Sequence, residues 1–137
     1  MTTLESHHPL SAEAADKIAH DVLGAADTLD ADAFVAHFAD DTQFRWGGAD
    51  LLRGKDAVRA AISGFWTSAN ITGMRHNIKS VCTGLEGTSD VVSVEADTIY
   101  TRGDGNVITV PVNSTMRLRD GLIVDYRIFG DASPVFA

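Results

Sequence analysis

Residues 74–129 show no helical period. They are a run of strand formers broken by three tight turn signals: Glu86-Gly87-Thr88-Ser89, Gly103-Asp104-Gly105-Asn106 and Asp120-Gly121. Strands joined by turns this short pair with their sequence neighbours, and only antiparallel. The pattern predicts four strands, at 74–84, 90–102, 107–119 and 122–129. Pro111 inside the third of them predicts a bulge or a bend. Apolar residues lie on both faces, as in Val91-Val92 and Ile108-Thr109-Val110. Such a sheet needs cover on both sides: helices on one face and, by expectation, a second copy of the chain on the other.

The first half supplies the helices. Ser11 is placed to cap a helix over 12–28, with Glu13 in its first turn and Ile18, Val22, Leu23 and Ala26 on one stripe. Asp30 or Asp32 caps a short second helix carrying Phe34, Val35 and Phe38, which Asp40-Asp41 is expected to stop. Residues 42–46 read as a strand, Gly47-Gly48 as a turn, and Gly54-Lys55-Asp56 as the start of a third helix. Val58, Ala61, Ile62, Phe65 and Trp66 form its apolar stripe. Gly64 within it costs about 1 kcal/mol against alanine, which predicts a close neighbour. The expectation is one α+β domain over residues 1–137, with 1–10 as a flexible leader. A curved, mostly antiparallel sheet would wrap on three N-terminal helices as a cone-shaped α+β barrel, and residues 30–54 would shape its cup.

Composition narrows the function. A chain of 137 residues buries a core without staples. A net charge of −8 argues against nucleic acid and against an anionic membrane surface. No apolar run is long enough for a transmembrane helix, and the N-terminus lacks the basic and apolar regions of a secretory signal, so a cytoplasmic location is the default expectation. The lone Cys82 rules out an internal disulfide and is expected to be a small buried side chain. His7-His8 belongs to the polar leader. His20 and His37 have no partner at ligand spacing, so no metal is expected. There is no phosphate loop, dinucleotide fingerprint or Gly-x-Ser-x-Gly elbow.

The helix end Phe38-Ala39-Asp40-Asp41, the opening Gly54-Lys55-Asp56-Ala57-Val58 and the last hairpin, Arg119 through Arg127, resemble the nuclear-transport-factor-2-like superfamily, closest to its SnoaL-like branch. The resemblance covers nearly the whole chain. It implies an α+β cone with a pocket between sheet and helices. It also implies cofactor-independent acid/base chemistry on a small organic molecule in an apolar pocket, although the superfamily also holds non-catalytic binders.

Asp27 near the end of the first helix and His76 early in the strand 74–84 resemble the Asp/His dyad of the scytalone dehydratase branch. There the carboxylate orients the imidazole and fixes its tautomer, and the ring takes a proton from carbon. The bland alternative is a polar helix end beside an edge-of-strand histidine. Glu95 and Asp97 share one face of the strand 90–102, where they are either crowded pocket carboxylates or solvated partners of Arg102, Arg117 or Arg119. Asp97 falls where limonene epoxide hydrolase keeps a carboxylate, but Glu95 replaces that family's arginine and Ile128 its second carboxylate. A ketosteroid isomerase base would fall near Arg45-Trp46, which holds no carboxylate, and its buried acid near Asn113. Asn113 remains a candidate for binding a substrate carbonyl or hydroxyl. Trp46, Phe65, Trp66, Tyr100, Met116 and Phe129 are candidate walls. Arg45 and Arg75 are candidate holders of an anionic group. The leading expectation is a SnoaL-like dehydratase, isomerase or cyclase with His76 as base and Asp27 as its orienter. The alternative is a non-catalytic ligand-binding or dimerisation module of the same fold.

Overall fold

A computed structural model describes residues 8–137. His7 and most of the expected leader lie outside the described residues. Helix α1 spans Ala12–Asp27, and the Ser11 hydroxyl accepts from the Ala14 N–H at 3.1 Å. Ala15, Ala19, Val22, Leu23 and Ala26 are its buried stripe. Thr28 caps its C-terminus, and Leu29, at φ 58°, turns the chain away. Asp30 caps α2, Ala31–Val35, by accepting from the N–H groups of Asp32 and Ala33.

The second helix stops earlier than the sequence predicts. Strand β1 runs Phe38–Trp46, so Phe38 and the acidic pair Asp40-Asp41 are already strand. Tertiary pairing overrides the local signal here. The Ile123 N–H donates to the His37 carbonyl at 2.9 Å, and Phe38 registers against Ile123 in a parallel ladder. The ladder is irregular between Phe38 and Gln43. That irregularity leaves Asp40 and Asp41 facing solvent, where Asp41 accepts from Arg119 at 2.8 Å. His37 sits in the turn before β1 rather than on a helix. Leu52–Arg53 forms a short strand, β2, where a loop was expected, and Gly54, at φ 90°, opens α3, Lys55–Ser68.

Strands β3 (Ile71–Glu86), β4 (Ser89–Arg102), β5 (Val107–Arg119) and β6 (Leu122–Phe129) follow the predicted turns, with β3 starting three residues earlier. The sheet order is β2-β1-β6-β5-β4-β3, antiparallel except for β1 beside β6. The result is an α+β cone, three helices against a curved six-stranded sheet. Asp120 and Gly121 both have positive φ, 53° and 79°, the type I′ geometry that two-residue hairpins favour.

Strand parity decides which residues reach the helices. Val92, Val94, Ala96, Thr98 and Tyr100 of β4 are buried on the helix side. On β3 the bulge between Ile78 and Ser80 switches parity, so His76, Ile78 and Val81 all pair with inward residues. Pro111 causes no register shift against β4. The β5–β6 ladder begins only at Asn113, so Pro111 has no β6 neighbour to which an N–H would donate. A methyl group on Gly64 would meet nothing within 4 Å, contrary to the close neighbour expected. Cys82 is exposed, because it lies on the outward parity of β3 beyond the bulge. No helix among the described residues is long and apolar enough to cross a membrane.

Candidate active site

α1 delivers Asp27 at its last residue, and β3 carries His76 directly beneath it. One carboxylate oxygen of Asp27 lies 2.6 Å from His76 Nδ1, and the other accepts the backbone N–H of His76 at 3.0 Å. The carboxylate therefore grips both the ring and the strand that bears it. The His76 side chain is only 7% exposed and that of Asp27 23%. With Nδ1 donating to the carboxylate, neutral His76 keeps its lone pair on Nε2.

His76 lines a narrow slot between the sheet and the helices. Its walls are almost wholly apolar, with Trp46, Phe65, Trp66 and Ile128 among them. The slot has about 30 Å³ of room for water-sized groups, enough for roughly two of them. The polar groups that reach it besides His76 are Thr98, Ser114, Tyr100 and Tyr126. Burial pushes the Tyr100 phenol far above its usual value, and neighbouring Tyr126 and Asp27 push it further. Burial also raises Tyr126, to about 12, with a Ser114 hydrogen bond pulling down and Asp27 pushing up. Both phenols are therefore held as hydrogen-bond donors beside the carboxylate–imidazole pair.

This has a spectroscopic consequence. Tyr100 and Tyr126 are the chain's only tyrosines. Folding holds the phenol proton of Tyr126 more tightly than the unfolded chain does. Stability is therefore unaffected below pH 10, the unfolded value, and falls as pH rises from there toward about 12. Tyrosinate absorbance should stay absent through the midpoint of a free phenol and appear only on alkaline unfolding, in step with loss of circular dichroism.

The structure brings Asp27, His76, Trp46, Trp66 and Tyr100 to one place. It sends Glu95, Asp97 and Asn113 to the opposite face of the sheet, a correction to their expected role as substrate contacts. The buried Val92, Val94 and Ala96 fix the inward parity of β4, and Glu95 and Asp97 occupy the other. Asp97 lies 3.6 Å from Lys79, and Glu95 accepts from Ser80 at 3.4 Å. Asn113 accepts from the Ser93 and Thr115 hydroxyls on the same outer face. The inward residues of β5 are Val112 and Ser114 instead. Met116 is core that does not line the slot, and Phe129 is 57% exposed. The Arg45 Nε donates to the Ala49 carbonyl and Arg75 is exposed, so neither guanidinium lines the slot. Thr98, Ser114 and Tyr126 were not singled out from the sequence. The parity of Val92, Val94 and Ala96, continued to Thr98, was the signal available for the first.

Fold and site together define an α+β cone protein with an apolar slot and a part-buried carboxylate–imidazole pair at its wall. The chain belongs to the SnoaL-like family: the SnoaL-like domain matches residues 19–126. No curated protein matches the chain significantly. Among solved structures, it is similar to a presumed SnoaL-like polyketide cyclase from Jannaschia sp. CCS1, at TM-score 0.73 and 15% identity over 93% of this chain and 94% of that one. It is also similar to an LEH-like epoxide hydrolase from M. tuberculosis, at TM-score 0.69 and 20% identity over 91% and 88%. A presumed dehydratase of the NTF2-like family from Streptomyces avermitilis gives 0.71 and 13% over 87% and 95%. At these identities the likeness is one of fold.

Proposed function

We propose that the protein is a cofactor-independent acid/base enzyme of the dehydratase, isomerase or cyclase type, acting on an apolar, oxygenated small molecule. The observation that carries this reading is the double grip of Asp27 on His76, at 2.6 Å to the ring and 3.0 Å to the backbone, at the wall of an apolar slot. Nε2 takes a proton from a carbon next to a carbonyl, and the electron pair moves onto the carbonyl oxygen. The Tyr100 or Tyr126 phenol donates a hydrogen bond to that oxygen, which the apolar walls strengthen. The imidazolium, paired with Asp27, then returns the proton to a second carbon, or to a departing hydroxyl that leaves as water. The names of the cyclase and dehydratase neighbours agree with this class of chemistry. The epoxide hydrolase alternative lacks support in the slot, because Asp97 faces the other side and Ile128 lines the wall.

Asp27 acts through His76 and is a positioning residue. Asp27→Asn offers an amide where the carboxylate stood and loses its charge. It should lower kcat by roughly 10²-fold with KM little changed, within the span typical of general-base catalysis. Ring-nitrogen NMR should show His76 leaving the single Nδ1–H tautomer. An unchanged tautomer together with unchanged kcat would remove Asp27 from the mechanism.

A further inference from the structure

Outside the slot lies a second, larger apolar hollow of about 440 Å³. It is lined by Phe44, Leu52, Ala61 and Phe136, and it shares Trp46, Ile62 and Phe65 with the slot. Phe65 stands between the two. Its ring meets Tyr100 on the inner side at 5.8 Å, Trp46 at 5.8 Å, and Phe136 on the outer side at 5.7 Å. The C-terminal segment that brings Phe136 there is held in place. Val135 is fully buried, and the Arg102 guanidinium donates to the carbonyls of Val135 and Ala137 at 3.1 and 2.8 Å. Gly130 lets the segment leave β6 close against β5, since a methyl group there would sit 2.9 Å from the Pro111 carbonyl.

We infer that this hollow is the binding site for the apolar body of the substrate, and that only the reacting end passes Phe65 to reach His76. This rests on the acid/base reading above and deepens it. The slot has room for about two water-sized groups, so a larger molecule that reacts there keeps most of its atoms outside. The hollow adjoins the slot across the shared side chains Trp46, Ile62 and Phe65, so a molecule seated in it lies one ring away from the space that His76 lines. Among the described residues, no lysine or arginine lines either space, and the one acid of the hollow, Asp50, is exposed. The substrate class is therefore an uncharged molecule with an extended apolar body and a small oxygenated end, not a carboxylate, phosphate or thioester of a charged carrier.

The test uses neutral probes that need not react. Phenol and para-hexylphenol are titrated into the full chain, and binding is read by tryptophan fluorescence, since Trp46 borders both spaces. Burial of the hexyl chain at roughly three- to four-fold per methylene should make para-hexylphenol bind at least about 100-fold more tightly than phenol. Ala61→Trp, from the half-exposed face of α3, should fill the hollow and weaken para-hexylphenol by about tenfold or more, and by clearly more than it weakens phenol. Phe136→Ala, at a position 55% exposed and so safe for folding, should weaken it by several-fold. The anion para-hexylbenzoate should bind at least about tenfold more weakly than the phenol. His76→Ala should retain para-hexylphenol binding, so failure of the acid/base reading and failure of this one are separable. Equal affinity for the two phenols, or indifference of para-hexylphenol to Ala61→Trp, would overturn the inference. Weaker self-association in Ala61→Trp with unchanged probe binding would also overturn it, by making the hollow a face between copies.

Discussion

His76→Ala should lower kcat on a true substrate by roughly 10²- to 10⁴-fold, the span of general-base catalysis. Apart from the two phenols, whose pKa values burial pushes up, His76 is the only titratable side chain among the described residues that lines the slot. No other group there is free to take a proton from carbon near neutral pH. The loss should fall on kcat, because the apolar walls that bind substrate are untouched. The fold should survive: Asp27 keeps its bond from the residue 76 backbone N–H, and the small void borders an existing slot. A melting temperature within a few degrees of wild type, measured with the rate, separates lost chemistry from lost structure. Near-wild-type turnover would leave a ligand-binding module as the reading of the site.

The largest stability effect is expected at Phe38→Ala, at about 3–5 kcal/mol. Phe38 is 1% exposed, and its ring lies 5.0 Å from Phe34 and 5.6 Å from Tyr126. Tyr126 also stacks on Phe44 at 5.3 Å, so these rings join α2, β1 and β6. Truncation opens a cavity that the clamped backbone of β1 cannot close. The midpoint of thermal unfolding should fall by roughly 10–20 °C in a domain of this size. Phe38→Leu, which keeps most of the volume, should cost under about 1.5 kcal/mol. An alanine variant within about 1 kcal/mol of wild type in urea would mean that Phe38 is not the core residue its burial implies.

Phe38 also shows where the sequence was legible and where it was not. The strands from β4 onward could be bounded to within about a residue because Gly103-Asp104-Gly105-Asn106 and Asp120-Gly121 are local signals, carried by backbone conformations that few residues accept. The start of β1 had no such signal. Asp40-Asp41 reads locally as a helix stop, yet the pair sits in a strand irregularity whose partner, β6, comes some eighty residues later. Helix α3 was clear from its stripe, but nothing local revealed that Gly64 packs against nothing.

The site divides in the same way. Asp27 and His76 were singled out through family resemblance, and the structure places their side chains in contact. Glu95, Asp97 and Asn113 failed on parity. A strand read alone has two faces, and choosing between them needs the buried run Val92, Val94 and Ala96, which Val91 and Ile99 blur by being apolar as well. Tyr126 was hidden although the β5–β6 hairpin was legible: the register shift between Arg117 and Leu118 decides which residues of β6 face inward, and it sets Tyr126 opposite Met116 and Ile128 opposite Ser114.

The central claim is that His76 is a carbon-acid base in an apolar site. It is tested most directly by deuterium uptake at the carbons next to the carbonyl of a neutral bicyclic ketone, β-tetralone, followed by proton NMR in deuterium oxide. Wild-type protein should accelerate the exchange over buffer, and His76→Ala should return it to the buffer rate. Equal acceleration by wild type and His76→Ala would contradict the claim.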